Sequence, residues 1–310
     1  MYSVIKVLEI IMPIFVTILL GVLAKKKSTI SEDANKGLQQ FVMTFCLPCV
    51  LFNSCLNGNF GLESVTAMVL VIPLVFLSSI WSFRVRKKKY QYHNLPQIFS
   101  SQETGMLGIP LFITLFGVEN AYRMGVLDVA QGLISIPVIA ILSADTGRNP
   151  TIGYIVKKVF QSPLLLMSIL GLALNLTGAM DVLNQIGIGA VITGVTGFIA
   201  QPVSAVILFC VGYNFSLGKE NSKHVFEICA LHFIIYAIFC CIIQGVLCLV
   251  PDVDVQTRWA ILLYCALPGS YLAAGLGKTK EESTVAAGVC SILTIVCLLI
   301  FCAIAVLVST

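Results

Sequence analysis

The amino-acid sequence predicts an all-α polytopic membrane protein: ten transmembrane helices in two inverted five-helix repeats, with helices four and nine broken. Three observations predict this class. Of the 310 residues, 58% are hydrophobic and only 11% are charged, too few for the surface of a soluble domain of this length. Apolar segments of about 20 residues, long enough for a helix to cross a bilayer, recur from end to end. Prolines also recur in the same order in the two halves.

The apolar segments divide the chain into ten predicted spans. They cover residues 4–24, 37–56, 64–83, 95–117, 122–145, 160–178, 190–217, 225–250, 257–277 and 284–308. The basic cluster at 25–27 follows the first apolar run instead of preceding it, which favours a retained span over a signal peptide. Most of the twelve cysteines fall inside spans, where cysteine behaves as a small hydrophobe. The "CLPC" of residues 46–49 has no second pair nearby, so we expect no metal site.

The basic residues predict the orientation of the spans. If the N-terminus lies outside, the cytoplasmic loops hold all of the 19 Lys and Arg residues except Lys6, Arg123 and Arg258. The cytoplasmic set is Lys25, Lys26, Lys27, Lys36, Arg84, Arg86, Lys87, Lys88, Lys89, Arg148, Lys157, Lys158, Lys219, Lys223, Lys278 and Lys280. By the positive-inside rule, both termini should therefore lie outside the cytoplasmic membrane.

Matched prolines predict an internal repeat, with units at residues 1–145 and 150–310. "PIFVTILLG" from Pro13 resembles "PLLLMSILG" from Pro163, and each has glycine eight residues after proline. Further prolines follow in spans two and four of the first half (Pro48, Pro110) and in spans seven and nine of the second (Pro202, Pro268). An odd number of spans in each unit makes the two units opposite in orientation. This is the plan of many secondary transporters.

Spans four and nine carry the strongest signs of a broken helix. Pro110 lacks an N–H and clashes with the preceding turn, while Gly105 and Gly108 tolerate non-helical backbone. Span nine offers Pro268 and Gly269, followed by the hydroxyl of Ser270. Non-helical backbone at membrane depth is tolerated only around a protein-lined or hydrated cavity. The two breaks therefore predict a binding site where they meet.

Several motifs, taken in order, resemble the auxin efflux carrier family. They are "MPIFVTILLGVLAKKK", "QQFVMTFCLPCVLF", "ETGMLGIPL", "VSAVILFCVGYNFSLG" and "LPGSYLAAGLGKTKEES". The resemblance covers essentially the whole chain. It implies crossing broken helices at the substrate site, and a scaffold helix pair that moves against a panel domain. The short connection between spans five and six is typical of the compact bacterial members, which include malate- or malonate-type permeases.

One position departs from the family pattern. Seven residues before the proline of "GIPL", the family commonly carries asparagine as a neutral ligand for the substrate carboxylate, and here Glu103 stands instead. An ionised glutamate would repel a carboxylate. Either Glu103 is protonated when substrate binds, or the substrate is not a simple anion. An ionisable group at membrane depth marks function, although a solvated position at the cytoplasmic mouth is the alternative.

Other polar residues inside the spans are weaker candidates. Asp128 and Gln131 share one face of span five, and Gln131 resembles a polar residue of the plant carriers; Asp128 could instead face water. Asn53, Asn214 and Ser270 could supply hydrogen bonds, but helix packing is the simpler role. His93 and His224 are expected at the surface, and His232 is expected in the core. The predicted substrate residues are Glu103, Thr104, Gly105, Gly108, Pro110, Gln131, Pro268, Gly269 and Ser270, with Glu103 and Asp128 as candidates for proton coupling.

These observations predict a secondary transporter for a small organic acid. The sequence leaves open proton coupling, sodium coupling or uniport, and it names no cofactor. A sodium-coupled organic-anion symporter of the bile-acid type is the alternative on the same fold, and a channel or an intramembrane enzyme is a further one. No HEXXH motif, paired-aspartate protease pattern or Ser/His arrangement suited to hydrolysis appears, so we expect no enzymatic activity. No glycine-rich phosphate-binding loop appears either, so ATP hydrolysis within this chain cannot drive transport. The expected partners are the substrate and the lipid bilayer, with a homodimer left open and no nucleic acid.

Overall fold

The computed structural model describes residues 2–144, 153, 162–215 and 222–309, and the regular elements of these residues are helices. In the first half they are α1 (Tyr2–Lys26), α2 (Glu32–Phe41), α3 (Leu47–Asn57), α4 (Leu62–Val85), α5 (Leu95–Ser100), α6 (Ile109–Phe116) and α7 (Ala121–Ala144). In the second half they are α8 (Pro163–Thr177), α9 (Ala179–Gln185), α10 (Ile188–Ala200), α11 (Val203–Asn214), α12 (Ser222–Leu247), α13 (Val255–Ala266), α14 (Leu272–Gly275) and α15 (Lys280–Ser309).

Local sequence explains several helix ends. The Ser31 side chain accepts a hydrogen bond from the N–H of Ala34 at 3.2 Å, and acidic residues follow in the first turn of α2, as expected at a helix N-terminus. Pro163 begins α8, where its missing N–H costs nothing. Gly178 ends α8 with a φ of 66°, a left-handed conformation that glycine adopts without strain.

Seven helical segments of the described residues are long and apolar enough to cross a membrane, or eight if the bent pair α8–α9 counts as one span. They correspond to predicted spans one, two, three, five, seven, eight and ten, with the bent pair at span six. Spans four and nine are interrupted and do not pass as single helices. The all-helical membrane fold is thus confirmed, and the complete ten-span inverted repeat stays a prediction. Large apolar side chains such as Leu20, Phe198 and Leu299 lie exposed, as on a surface that faces lipid.

Two helix pairs pack with their backbones in direct contact. α1 runs against α11, and α3 runs against α8. A Cβ atom on Gly21 or on Gly212 would collide with the backbone of the facing helix, at Phe209 and Ile18 respectively. On Gly171 it would collide with the carbonyl of Phe52 on α3. Glycine is therefore required at these positions for the helices to approach so closely.

A second body of helices surrounds the interrupted segments. α4 packs on α5 and α7, and α12 packs on α13 and α15. At one end, three of these helices are tied together by Arg123, which is 7% exposed. Its guanidinium lies 2.8 Å from Asp254 and 4.0 Å from Glu63, and donates to Thr257 at 2.5 Å. The sequence placed Arg123 at the outer end of a span; the structure adds that it is buried and paired.

The structure corrects the predicted position of one histidine, and some of the predicted cytoplasmic basic residues lie outside the residues it describes. His93 is not a surface residue: it is 4% exposed, and its Nε2 lies 2.8 Å from the carbonyl of Leu142. The chain turns at Arg86–Tyr90 and folds His93 back under the end of α7, which periodicity alone cannot reveal. His224 is partly buried beside the Tyr92 hydroxyl, at 2.7 Å. The predicted cytoplasmic residues Arg148, Lys157, Lys158 and Lys219 lie outside the described residues.

Candidate functional site

The two interrupted segments meet at their breaks. An isolated antiparallel bridge pairs Gln102, between α5 and α6, with Gly269, between α13 and α14. Its two backbone hydrogen bonds, each 2.9 Å long, run from the N–H of Glu103 to the carbonyl of Pro268 and from the N–H of Ser270 to the carbonyl of Ser101. Backbone groups freed by one break are thus satisfied by the other, as the interior of a membrane requires. We call this contact the crossing, comprising residues 101–104 and 267–271.

The side chain of Gln102 satisfies the end of α13. With its amide nitrogen turned towards that helix, it donates to the carbonyls of Leu267 at 3.1 Å and Pro268 at 2.9 Å. Leu267 has a ψ of 150°, because the residue before a proline is kept out of the helical region. The helix therefore ends at Ala266, and Gln102 supplies partners for the carbonyls of the two residues that follow it.

Gln131 on α7 braces the other break. Its Oε1 accepts from the backbone N–H of Gln102 at 2.8 Å, and its Nε2 donates to the carbonyl of the same residue at 2.9 Å. The Nε2 also donates to the Thr104 hydroxyl at 2.8 Å, and Oε1 accepts from the Tyr264 hydroxyl at 3.1 Å. The Gln131 amide thus pairs with both backbone groups of Gln102, as a neighbouring β-strand would. In this conformation Gln131 holds the break, and its polar atoms are already engaged.

Glu103 is a buried carboxyl at the centre of the crossing, 8% exposed. Its Oε2 accepts from the backbone N–H of Tyr271 at 2.6 Å, and the Ser270 side chain lies beside the same carboxyl. Among the described residues, no basic side chain pairs with it. The predicted alternative of a solvated residue at the mouth is therefore wrong for this conformation, because the carboxyl is enclosed by the two breaks.

Helix α15 holds the second break from the opposite side. The Tyr271 hydroxyl lies 2.6 Å from Thr294 Oγ1, which donates to the carbonyl of Cys290 at 2.7 Å. The Cys290 thiol donates to the carbonyl of Gly269 at 3.2 Å. Gly269 itself has no room for a side chain, since a Cβ there would lie 2.5 Å from the carbonyl oxygen of Ile98. The crossing thus requires glycine at this point.

Asp128 lies next to the crossing, one turn before Gln131. Its Oδ1 accepts from Gln131 Nε2 at 3.0 Å, and the Thr104 side chain lies beside the same carboxyl. The residue is only partly exposed, and it faces a small cavity between α7 and α8. The sequence left open whether Asp128 simply faces bulk water; the structure places it beside the two breaks.

The structure corrects the position of the first break. The sequence placed it at Gly105, Gly108 and Pro110, whereas the chain leaves helical geometry at residues 101–103. Thr104–Gly108 form a π-helical turn that runs into α6, and Pro110 occupies the first turn of that helix. Pro110 therefore lies inside the continuous helical run Thr104–Phe116, where the π-helical turn before it accommodates its missing N–H, and not at the break itself. Consequently the matched prolines Pro110 and Pro268 do not occupy equivalent places in the two breaks.

The two glycines of the π-helical turn contact side chains rather than the crossing backbone. A Cβ on Gly105 would meet the Met43 side chain at 3.2 Å, and one on Gly108 would meet Met124 at 2.7 Å and Leu267 at 2.8 Å. Flexible side-chain ends of this kind can move away. Among the predicted site residues, the structure therefore brings together Glu103, Thr104, Gln131, Pro268, Gly269 and Ser270, while Gly105, Gly108 and Pro110 support the first helix beyond the break.

Other polar candidates lie away from the crossing. Asn53 accepts from Thr196 at 2.7 Å and Asn214 accepts from Asn35 at 3.0 Å, so both join helices, as a packing role predicts. His232 is 1% exposed, and its ring stacks on Tyr236. Within the described part of the chain, no group of three or more His, Cys, Asp or Glu residues is arranged to hold a metal ion.

Sequence reasoning missed Gln102, Tyr264, Tyr271 and Cys290. Gln102 could have been found, because it extends the polar run "SSQET" inside an apolar span. Tyr264 and Cys290 sit in ordinary apolar segments, where nothing distinguishes them from core residues. Tyr271 contributes mainly a backbone N–H, a group that every non-proline residue carries.

Comparison with known proteins supports the family resemblance. Residues 6–152 match the model of a family described as membrane transport protein, the auxin efflux carrier family. The uncharacterized transporter YfdV of Escherichia coli strain K12 is 22% identical over 223 residues, covering 67% of this chain and 68% of that protein. The proteins of the same name from Escherichia coli O157:H7 and Shigella flexneri match equally well. By name, both the family and these relatives are membrane transporters.

Proposed function

We propose that the protein is a secondary transporter of the auxin efflux carrier family, whose model residues 6–152 match. It moves a small organic acid across the cytoplasmic membrane by elevator-like alternating access. The observation that carries the proposal is the crossing, where two interrupted segments enclose Glu103. Non-helical backbone and an ionisable group at membrane depth are typical of substrate and ion pathways.

The division of the helices supports an elevator mechanism. α1, α3, α8 and α11 form the glycine-packed pairs, while α4–α7 and α12–α15 surround the crossing. The first group is the proposed scaffold, and the second is the proposed body that carries the substrate past it. Rigid-body motion of this kind needs each group to stay intact while the interface between them changes.

The inverted repeat is proposed for the whole chain, with units at residues 1–145 and 150–310. Its support is the equivalent use of two glycines. Gly21 and Gly171 each stand eight residues after a matched proline, Pro13 and Pro163. Each contacts the backbone of a helix from the other half, Gly21 on α11 and Gly171 on α3. The contacts α1–α11 and α3–α8 are thus exchanged between the units, as a two-fold relation requires.

Both termini are proposed to lie outside the cell membrane, on the strength of the basic loops. A reporter that is active only in the cytoplasm should stay inactive when it is fused to the C-terminus. An active reporter on a functional fusion would reverse the assigned orientation, whereas a periplasmic reporter at the same position serves as the matched control.

Glu103 is the proposed proton carrier. In the described conformation its carboxyl accepts the hydrogen bond from the N–H of Tyr271 and lies against the Ser270 side chain. These two groups are donors that could otherwise bind a substrate carboxylate. A second negative charge cannot enter beside it at low cost. Protonation of Glu103 removes this repulsion, so that proton and acid are loaded together. Coupling to sodium and uniport are the alternatives that flux measurements distinguish.

The test is flux into liposomes that contain the purified full-length protein. Labelled mono- and dicarboxylates would be supplied with and without an inward proton gradient, and with sodium or choline as the external cation. We expect at least one acid to accumulate, with the proton gradient raising the initial rate several-fold in either cation. Currents of single-channel size, or conversion of an acid by the protein in detergent, would instead indicate a channel or an enzyme.

A further inference from the structure

A small cavity near the crossing could hold a part of the substrate that the crossing itself does not bind. It has a volume of about 90 Å³ and lies between α7, α3 and α8. Its wall is apolar, for example at Leu51 and Leu133, except for Asp128 and the serines Ser162 and Ser168. Since the wall contains residues of both proposed bodies, the cavity lies where a transported molecule would sit between them.

Asp128 is the charged group of this cavity, and its partners are neutral. Gln131 donates to it at 3.0 Å, and the neutral Thr104 side chain lies beside the same carboxyl. The bond from Gln131 orients the carboxyl without balancing its charge. Among the described residues, no Lys, Arg or His lines the cavity or pairs with Asp128.

The charges of the site favour a particular ligand. A half-buried carboxylate without a cation is costly, and an ammonium group can offset this cost with up to three charge-assisted hydrogen bonds. A dicarboxylate would bring two further negative charges to a site that already holds Glu103 and Asp128. A monocarboxylate that also carries an amine brings its own cation, and 90 Å³ has room for that group.

We propose that Asp128 binds the ammonium group of an amine-bearing acid, so that the transported substrate is a small zwitterion of the amino-acid type. This inference rests on the proposed transport function and specifies its substrate. Asp128 supplies the carboxylate for the amine, while Gln131 positions it. The acid group of the ligand lies towards Glu103 and the donors at the crossing.

Two pairs of probes that differ by one amine test the inference. Initial uptake of alanine and propionate, and of aspartate and succinate, would be measured in liposomes containing the full-length protein. The protein should prefer the amine-bearing member of a pair. Asp128→Asn keeps the shape and the oxygen that Gln131 uses but removes the charge. It should reduce the preference by about 10- to 100-fold, the loss of one charge-assisted hydrogen bond.

Two further variants control the result. Asp128→Glu restores the charge and should keep at least part of the preference, which a purely structural role of the position would not predict. Asp252→Asn makes the same chemical change at an exposed turn with a φ of 53°, which asparagine tolerates, and should leave the preference unchanged. Size-exclusion profiles of all variants report whether they remain folded.

The failures are distinguishable. Equal or better uptake of propionate and succinate, with no change in Asp128→Asn, overturns the ammonium site and leaves the transport function standing. Sodium-dependent uptake that ignores the amine and is lost in Asp128→Asn also overturns it, since the cation at Asp128 would be sodium. If none of the four acids passes through folded protein while another carboxylate of the panel does, the ammonium site alone is overturned; flux of no acid at all overturns both proposals.

Discussion

The glycine-packed helix pairs and the crossing solve opposite physical problems within one membrane protein. In the pairs α1–α11 and α3–α8, small residues let apolar helices touch along their backbones, at Gly21, Gly212 and Gly171. At the crossing, two helices stop and their freed polar groups are satisfied by hydrogen bonds from Gln102, Gln131 and Glu103. The first region depends on shape and the second on a set of polar partners.

This difference indicates which region stays fixed and which one can change. Close packing of backbones offers no second arrangement of equal density, so the pairs resist deformation. Hydrogen bonds at the crossing can be exchanged for bonds to water, a proton or a ligand with little net cost. The crossing can therefore respond to substrate, provided that the helix pairs do not.

The largest expected effect is on the packed pairs. Gly212→Val places a Cβ against the carbonyl of Ile18, and because the obstacle is backbone, no rotamer change relieves it. Overpacking typically costs about 1–3 kcal/mol, and more where the backbone cannot yield. We expect loss of a monodisperse peak in size-exclusion chromatography. Gly194→Val, at a helical glycine with nothing within 4 Å, should keep the peak; equal behaviour of the two variants would contradict the packing argument.

The next effect separates folding from transport. Gly269→Ala puts a Cβ 2.5 Å from the Ile98 carbonyl oxygen and should push the two breaks apart. Because displacement by about 1 Å can cost about 100-fold in a positioned site, we expect uptake to fall by about that factor while the protein remains folded. Gly275→Ala has open space and should transport normally. Wild-type uptake by Gly269→Ala would show that the crossing is not tight during transport.

The smallest expected effect is the difference in transport between alanine variants of the two prolines. The sequence predicts that replacing either Pro110 or Pro268 with alanine abolishes transport, because each proline breaks a span. The structure predicts unequal results. Pro268→Ala frees Leu267 to become helical and should lower uptake by roughly tenfold or more, since the carbonyls that pair with Gln102 and Glu103 would shift. Pro110→Ala changes a residue inside the helical run Thr104–Phe116, away from the contact between the two breaks, and should lower uptake less than about threefold.

The proline comparison needs matched expression, measured as the folded protein recovered for each variant. Equal and large losses in both would support the break that the sequence placed at Pro110. Equal and negligible losses would instead indicate that hydrogen bonds from Gln131 and across the bridge hold both breaks without help from proline.

The sequence predicted the features that depend on local pattern. Apolar length located the helical segments. The glycines after Pro13 and Pro163 were noted as part of the repeat, but their contact with a facing helix backbone was not predicted. Proline also located the second break, since Leu267 cannot be helical before Pro268. The polar run that contains Glu103 was correctly placed beside a break.

The remaining features depend on tertiary contacts that no local pattern encodes. The first break lies at residues 101–103 because Gln131 and span nine supply its hydrogen bonds. Gly105 and Gly108 are both part of the π-helical turn, so these two residues do not break the helix themselves. His93 is buried because the chain folds back onto Leu142, a contact between residues 49 positions apart.

The central claim is that Glu103 carries the proton that is transported with the acid. The most direct measurement compares net uptake with exchange in liposomes for the wild type and Glu103→Gln. The amide can still accept the hydrogen bond from the N–H of Tyr271, so the crossing should persist, and its N–H₂ can donate to a substrate carboxylate. We predict that exchange of labelled for unlabelled acid survives, while uptake driven by a proton gradient falls to background. Full gradient-driven uptake by the variant would contradict the claim and place proton coupling at another residue.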